Sequence, residues 1–132
     1  MEARFPILLV ALDLDGTLVG TDLRLGPRTI AATHAAIARG VQISIATGRM
    51  AKSARPFAET LGLSAPIIAY QGALVRAMSG PGEPLGKLLF HRPLSAAIAR
   101  ETLAWSTAHG LAAHVNHLER FVLPYTDPRA DD

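Results

Sequence analysis

The chain opens on an apolar run, residues 7–12, that stops at Asp13. An unbroken apolar run of this length, bounded by Pro6, is typical of a strand that is buried on both faces, as in a parallel sheet. A helix is predicted to begin at Pro27 and to end before Gly40, since proline favours the first turn and glycine the position after the last turn. The apolar stripe of this helix is predicted to contain Ile30, Ala31, His34, Ala35, Ile37 and Ala38.

The next segments alternate between strand and helix. Residues 41–46 alternate apolar and polar side chains, which predicts a strand whose polar face carries Gln42 and Ser44. A helix is predicted over residues 50–61 and a short apolar strand over residues 66–70. The order β-α-β-α-β implies right-handed crossovers, and it predicts an α/β fold with a Rossmann-like, doubly wound parallel sheet.

The pattern changes in the second half of the chain. Turn-rich and apolar segments there predict a β-hairpin, then a helix, two further strands and a polar tail. In chain order these segments are residues 74–78 with 87–91, residues 94–109, residues 111–117 with 120–125, and residues 126–132.

Composition excludes several classes of function. Hydrophobic residues make up 49% of the 132 residues and charged residues 18%, which is a globular composition. The net charge of +2 comes from scattered basic residues, and aromatic residues amount to 5%, so a nucleic-acid surface is not expected. Cysteine is absent, no apolar stretch is long enough to span a membrane, and the first residues do not resemble a signal peptide. We therefore expect a cytoplasmic protein without nucleic-acid or membrane partners.

Two carboxylates follow the first predicted strand. Asp13 and Asp15 are expected to face one side while Leu14 returns to the core, because side chains alternate along an extended chain. Ligands of open α/β sheets bind beyond the carboxyl ends of the strands, where this pair lies. Gly16 permits a sharp turn and is expected to present its N–H group to an anion. The pattern favours a phosphate site over a plain strand followed by an Asp-Gly turn.

Residues 12–18, with the sequence LDLDGTL, are similar to the first signature of the haloacid dehalogenase (HAD) superfamily. The resemblance implies that Asp13 attacks phosphorus and forms an aspartyl-phosphate, and that Asp15 acts first as general acid and then as general base. It also implies a Mg²⁺ ion on the Asp13 carboxylate and the Asp15 backbone carbonyl, which offsets the repulsion between carboxylates and phosphate. The expected partner is a small phosphorylated substrate.

A second signature of the family is matched by Thr47, Gly48 and Arg49 at the end of the second predicted strand. The resemblance implies that these residues and Gly16 bind phosphate, together with the N–H groups that open the following helix. Without that role, Thr47 would be a helix cap. Arg49 either clamps phosphate or is a solvated helix residue. Gln71 lies in a YQGA stretch where the Cof-type branch commonly has asparagine, and it either contacts substrate or forms a simple turn.

The Cof-type resemblance also implies a cap domain after the third core strand. Residues 1–91 would form the N-terminal half of a HAD-like core, which is incomplete, and residues 92–132 would begin an α+β cap. Two further family signatures, a lysine and an acidic loop of the form G-D-x-x-N-D, are not found in context, since neither Lys52 nor Lys87 follows a later core strand. We therefore expect a truncated product or fragment with negligible turnover by itself, whose strand at residues 7–12 exposes an apolar edge.

Three functions stay open on the sequence alone. The first is a Mg²⁺-dependent phosphatase of small phosphorylated metabolites, such as sugar phosphates. The second is a non-catalytic fragment that binds phosphate, or that assembles with a partner supplying the missing half. The third is a phosphotransferase or phosphomutase of the same superfamily, which passes the phosphoryl group to a sugar rather than to water.

Overall fold

A computed structural model describes residues 6–80 and 86–122 of the chain, which divides after His91 into two compact units. The assignment of these units to a core and a cap stays a prediction. The described elements of the first unit are β1 (Leu9–Leu12), α1 (Pro27–Ala38), β2 (Gln42–Ile45), α2 (Ala51–Thr60), β3 (Ile67–Ala69), β4 (Leu74–Arg76) and β5 (Leu88–His91). Those of the second unit are α3 (Ala96–Ala108), β6 (Val115–His117) and β7 (Arg120–Val122).

The first three strands run parallel. β1 pairs with β2 in a register that sets Leu12 opposite Ile45, and a parallel bridge between Ala46 and Ile68 joins β2 to β3. The helices α1 and α2 form the connections between these strands. The predicted α/β architecture is therefore confirmed, and the carboxyl ends of β1, β2 and β3 meet at one edge.

The hairpin predicted after the third strand is also present. β4 pairs antiparallel with β5, with Val75 opposite Phe90 and a register shift between Val75 and Arg76. β3 adds to it in antiparallel fashion, with Ile68 opposite Val75, which the sequence pattern did not predict. Part of the turn-rich link between the two hairpin strands, residues 81–85, lies outside the described residues.

The prediction that β1 is buried on both faces is wrong. The side chain of Leu9 is 56% exposed, and the preceding Leu8 and Ile7 are 68% and 71% exposed. In the described part of the chain β1 pairs only with β2, so its outer edge is open to solvent.

The predicted face of α1 is right at Ile30 and Ile37 and wrong at its other positions. Its one buried residue is Thr33, with Ile30 and Ile37 half-buried one turn to either side, whereas His34 and Ala35 of the predicted stripe are exposed. Alanine supplies little apolar area, so the pattern of alanines in this helix does not determine which side packs.

Ser44 belongs to the polar face that the alternation along β2 predicted, but this face is not exposed at Ser44. Its side chain is buried, and its hydroxyl donates a hydrogen bond to the carbonyl of Pro66 at 2.5 Å. Ile43, Ser44 and Ile45 are all buried, so both faces of β2 are covered and a polar side chain there requires a partner.

The second unit consists of a helix followed by a two-stranded hairpin. Ser95 caps α3 by accepting a hydrogen bond from the Ile98 N–H at 3.2 Å. In β6 and β7, Val115 lies opposite Val122. Both strands are shorter than predicted where they are described, and residues 123–132, including the predicted polar tail, lie outside the described residues. In the ranges 6–80 and 86–122, no helix has the length and apolarity needed to cross a membrane.

Candidate active site

The segment after β1 presents two carboxylates to solvent. Leu14 is fully buried while Asp13 and Asp15 are exposed, as alternation along the chain had indicated. The Thr17 hydroxyl donates to Oδ2 of Asp13 at 3.2 Å, which orients that carboxylate. Gly16 has a φ of +74°, and its N–H donates to the carbonyl of Val19 at 2.8 Å.

Gly16 therefore closes the turn after Asp15. In this geometry its N–H group is not available to an anion, contrary to the expectation from the sequence, because the carbonyl of Val19 already accepts that hydrogen bond. The left-handed backbone at this position is the feature for which glycine is needed.

The segment after β2 lies beside the first one. The N–H of Ala46 donates to the carbonyl of Leu12 at 2.9 Å, which brings Thr47 to the same sheet edge as Asp13. Thr47 is only 5% exposed, and its Oγ1 accepts the N–H of Arg49 at 3.2 Å. The cap position of α2 belongs to Met50, without any side-chain hydrogen bond, so Thr47 is not the helix cap.

Arg49 joins the two segments through a direct ion pair with Asp15. Its Nε donates to Oδ2 of Asp15 at 2.8 Å, and its Nη2 donates to Oδ1 at 2.5 Å. The guanidinium group also lies over the ring of Phe57, 5.5 Å from the ring centre. In this state Arg49 is therefore neither a free phosphate clamp nor a solvated helix residue.

The ion pair changes the acidity of both partners. Hydrogen bonds from Arg49 are the largest cause that lowers the pKa of Asp15 below its ordinary value of 3.8; desolvation opposes them, and the positive charge of Arg49 adds to the lowering. The same hydrogen bonds raise the pKa of Arg49 above its ordinary value. Asp15 is therefore held as a carboxylate in the unliganded geometry.

A third segment, the tight turn Tyr70–Gly72 after β3, is tied to the second. The N–H of Gln71 donates to the carbonyl of Thr47 at 3.2 Å, and the N–H of Tyr70 donates to the carbonyl of Arg49 at 3.1 Å. The three loops that carry the predicted site residues thus form one hydrogen-bonded edge of the sheet.

The oxygen donors at this edge suit a hard cation but are few. Mg²⁺ binds through one or two carboxylates plus water and phosphate oxygens, and the Asp13 carboxylate and Asp15 carbonyl are donors of that kind. Among the described residues, no group of three or more His, Cys, Asp or Glu side chains is close enough to hold a metal ion. The donor set is therefore of the right chemistry for Mg²⁺, with most ligands left to water and substrate.

Sequence reasoning overlooked two contacts at this edge. Thr17 is part of the matched LDLDGTL motif, and its spacing of four from Asp13 is the signal that its hydroxyl can reach back. Phe57 carries no such signal, because its contact with Arg49 depends on how α2 packs.

A family model described as haloacid dehalogenase-like hydrolase matches residues 10–129. The HMP-PP phosphatase of Cronobacter sakazakii is 34% identical over 122 residues, which cover 91% of this chain and 42% of that protein. The chain thus spans less than half the length of this relative.

The fold of this chain is similar to the folds of solved structures. A haloacid dehalogenase-like hydrolase from B. subtilis superposes with a TM-score of 0.77 at 24% identity, covering 93% of this chain and 41% of that one. A sugar phosphatase of HAD subclass IIB superposes with a TM-score of 0.71 at 23% identity, covering 86% and 42% of the respective chains. Since the family model spans nearly the whole chain and the fold agrees with it, this protein belongs to the haloacid dehalogenase-like hydrolases.

Proposed function

We propose that this chain carries the nucleophile and phosphate-binding half of a Mg²⁺-dependent phosphatase that acts on small phosphorylated metabolites. The observation that carries the proposal is the joining of the segments after β1 and β2 by the ion pair between Asp15 and Arg49. Pairing of β1 with β2 keeps the Asp13 segment and Thr47 at one sheet edge, and the ion pair adds a side-chain link between the two segments. The names of two relatives, an HMP-PP phosphatase and a sugar phosphatase, support a phosphate-ester substrate.

In the proposed reaction, a carboxylate oxygen of Asp13 attacks phosphorus, and the bond between phosphorus and the leaving oxygen breaks. Asp15 donates a proton to that leaving oxygen. A water molecule then attacks the aspartyl-phosphate while Asp15 takes its proton, which frees phosphate and restores Asp13. The exposure of both carboxylates gives a substrate direct access to them.

Phosphate binding is assigned to Thr47, Gly48 and Arg49. The Thr47 hydroxyl accepts a hydrogen bond from Arg49 and donates to none of the described residues, so its proton is available to a phosphate oxygen. No side chain caps the start of α2, and the N–H group of Ala51, its first residue, is assigned to the same anion. Residues 1–91 are proposed as the core part of the site and residues 92–132 as the beginning of a cap.

Mg²⁺ would be held by the Asp13 carboxylate and the Asp15 backbone carbonyl, with phosphate and water completing its shell. When bound, the ion supplies positive charge that offsets the repulsion between the attacking carboxylate and the phosphate.

Arg49 has two acceptors in this scheme. Its pair with Asp15 favours the carboxylate form, which suits the base that deprotonates water. Donation of a proton by Asp15 requires the opposite form, so Arg49 has to leave the carboxylate for the first step. A phosphoryl group is a strong bidentate acceptor for guanidinium and provides the alternative partner.

The proposal is tested with the longest natural chain that contains residues 1–132. Sugar phosphates and p-nitrophenyl phosphate are incubated with and without Mg²⁺, and products are followed by ³¹P NMR. We expect Mg²⁺-dependent release of inorganic phosphate and, after acid quenching, a phosphate adduct on the peptide that contains Asp13. Transfer to an added sugar without free phosphate would replace the hydrolase by a phosphotransferase, and full turnover without an adduct would contradict the covalent mechanism.

A further inference from the structure

The turn after β3 has an unusual backbone. Tyr70 and Gln71 both have left-handed conformations, with φ of 51° and 56°. Neither residue is glycine, and such conformations cost on the order of 1 kcal/mol each for L-residues. Two strained residues in succession persist only where surrounding contacts enforce them, and such strain is concentrated at functional sites.

Three contacts that hold this turn are made with the proposed phosphate loop. The backbone N–H groups of Tyr70 and Gln71 donate to carbonyls of Arg49 and Thr47. The side chain of Gln71 lies directly over Gly48, where an added Cβ would be 2.5 Å from Nε2 and 3.2 Å from Cδ. The absence of a side chain at Gly48 is therefore what gives the Gln71 carboxamide its position.

The Gln71 carboxamide does not contribute a hydrogen bond to the described fold. The Gln71 side chain is exposed, and its carboxamide forms no hydrogen bond with any of the residues that the structure describes. A turn needs no amide at position 71, because a glycine there, like the Gly72 that follows, would adopt a left-handed backbone without strain. The chain thus bears a strained conformation that holds a free hydrogen-bond donor against Gly48.

We infer that Gln71 is a further substrate-binding residue, whose carboxamide N–H group donates to an oxygen of the bound phosphoryl group beside Gly48. The inference rests on the proposed phosphate site at this edge. It adds a neutral donor from a third loop, so the phosphoryl group is held by the segments after β2 and β3 together. Neutral donors bind phosphate oxygens without contributing a further charge to the site.

Replacement of Gln71 by glycine separates this role from that of a turn. Gln71→Gly removes the carboxamide and also relieves the left-handed strain, so the midpoint of thermal unfolding should stay equal or rise. We expect its affinity for inorganic phosphate, in the presence of Mg²⁺, to fall about tenfold, as for loss of one hydrogen bond to a charged group. Gln71→Asn keeps an amide and a residue tolerant of this backbone, and it should retain most of the affinity.

The measurement is an NMR titration of the chain with inorganic phosphate at constant ionic strength. Gln42, the only other glutamine, lies exposed on β2 and provides the internal control for side-chain amide signals. The Gln71 signals, identified by their absence in Gln71→Gly, should shift with phosphate while those of Gln42 do not.

Three results would contradict the inference, and the last of them would also contradict the proposed function. Phosphate affinity equal to that of the wild type in Gln71→Gly overturns the inference and leaves the phosphate site intact. A parallel loss of unfolding midpoint and affinity in both variants assigns Gln71 to the fold and also overturns it. Failure of the wild-type chain to bind phosphate overturns the proposed function, and the inference with it.

Discussion

The guanidinium group of Arg49 holds the carboxylate of Asp15 at two points, although 34 residues separate them in the chain. The pair connects the loop after β1 to the loop after β2, and Phe57 supports it from α2. A two-point pair fixes orientation as well as distance, because the planar guanidinium matches the carboxylate geometry. The position of Asp15 is therefore set by a residue from the second motif.

Replacement of Arg49 by methionine should raise the pKa of Asp15 back towards 3.8, because the hydrogen bonds that lower it are removed. A depressed carboxyl pKa contributes stability that is present above the unfolded pKa and lost as the pH falls through the folded value. The difference in unfolding midpoint between wild type and Arg49→Met should thus be largest above about pH 5 and shrink towards lower pH. NMR titration of the Asp15 carboxyl carbon measures the pKa directly.

The control for this prediction is Arg55→Met, which removes an arginine of the same helix that pairs with Glu59 instead. It should leave the titration of Asp15 unchanged. An Asp15 pKa that is the same in wild type and Arg49→Met would show that the pair does not persist in solution.

Asp13→Asn should abolish phosphatase turnover, with a loss of roughly 10³-fold or more in kcat, since an amide oxygen is a poor nucleophile for phosphorus. The assay is phosphate release from p-nitrophenyl phosphate by the longest natural chain that contains residues 1–132. Asp22→Asn removes another exposed carboxylate, which accepts the Arg24 N–H, and it should keep full activity. Activity that survives in Asp13→Asn would remove Asp13 from the role of nucleophile.

Gly48→Ala tests the approach of Gln71 to the phosphate loop. The new Cβ would displace the Gln71 carboxamide, so the substitution should lower the free energy of unfolding more with glutamine at position 71 than with glycine there. We expect a coupling of about 0.5–1 kcal/mol in the double-mutant cycle, measured by urea unfolding. Gly20→Ala, whose Cβ would meet only an ordinary contact with Asp22, should show no coupling to Gln71.

Ser44→Ala should destabilise the fold by about 1 kcal/mol, because the part-buried carbonyl of Pro66 then loses its hydrogen-bond donor. Equilibrium unfolding in urea gives the value. Ser64→Ala, at an exposed position, should change stability by less than about 0.5 kcal/mol. Equal effects of the two substitutions would indicate that the Ser44 hydroxyl finds no partner in solution.

Leu9→Lys should reduce self-association of the chain. Leu9 is more than half exposed on a strand that pairs on one side only within the described residues, and a lysine there opposes edge-to-edge pairing. Sedimentation velocity over a range of concentrations measures the effect, with Leu23→Lys, at another exposed leucine outside the strands, as control. Association of equal strength in wild type and Leu9→Lys would mean that β1 is not the contact.

The sequence by itself determined the order of strands and helices and the two signature segments. These follow from local rules: an apolar run ends at Asp13, proline and glycine delimit α1, and the alternation after β1 buries Leu14 while it exposes the carboxylates. Such rules act within a few residues, so they are readable without a fold.

Only the tertiary structure decided which groups meet. The partner of Arg49, the donor to Pro66 and the position of Gln71 over Gly48 all depend on how β1, β2 and β3 align at their carboxyl ends. The burial of β1 likewise depends on which elements pack beside it. Its apolar composition predicted burial on both faces, but the strand has an open edge and Leu9 is exposed. Contacts between residues distant in sequence are fixed by strand register and helix packing, and neither is encoded in any single local pattern.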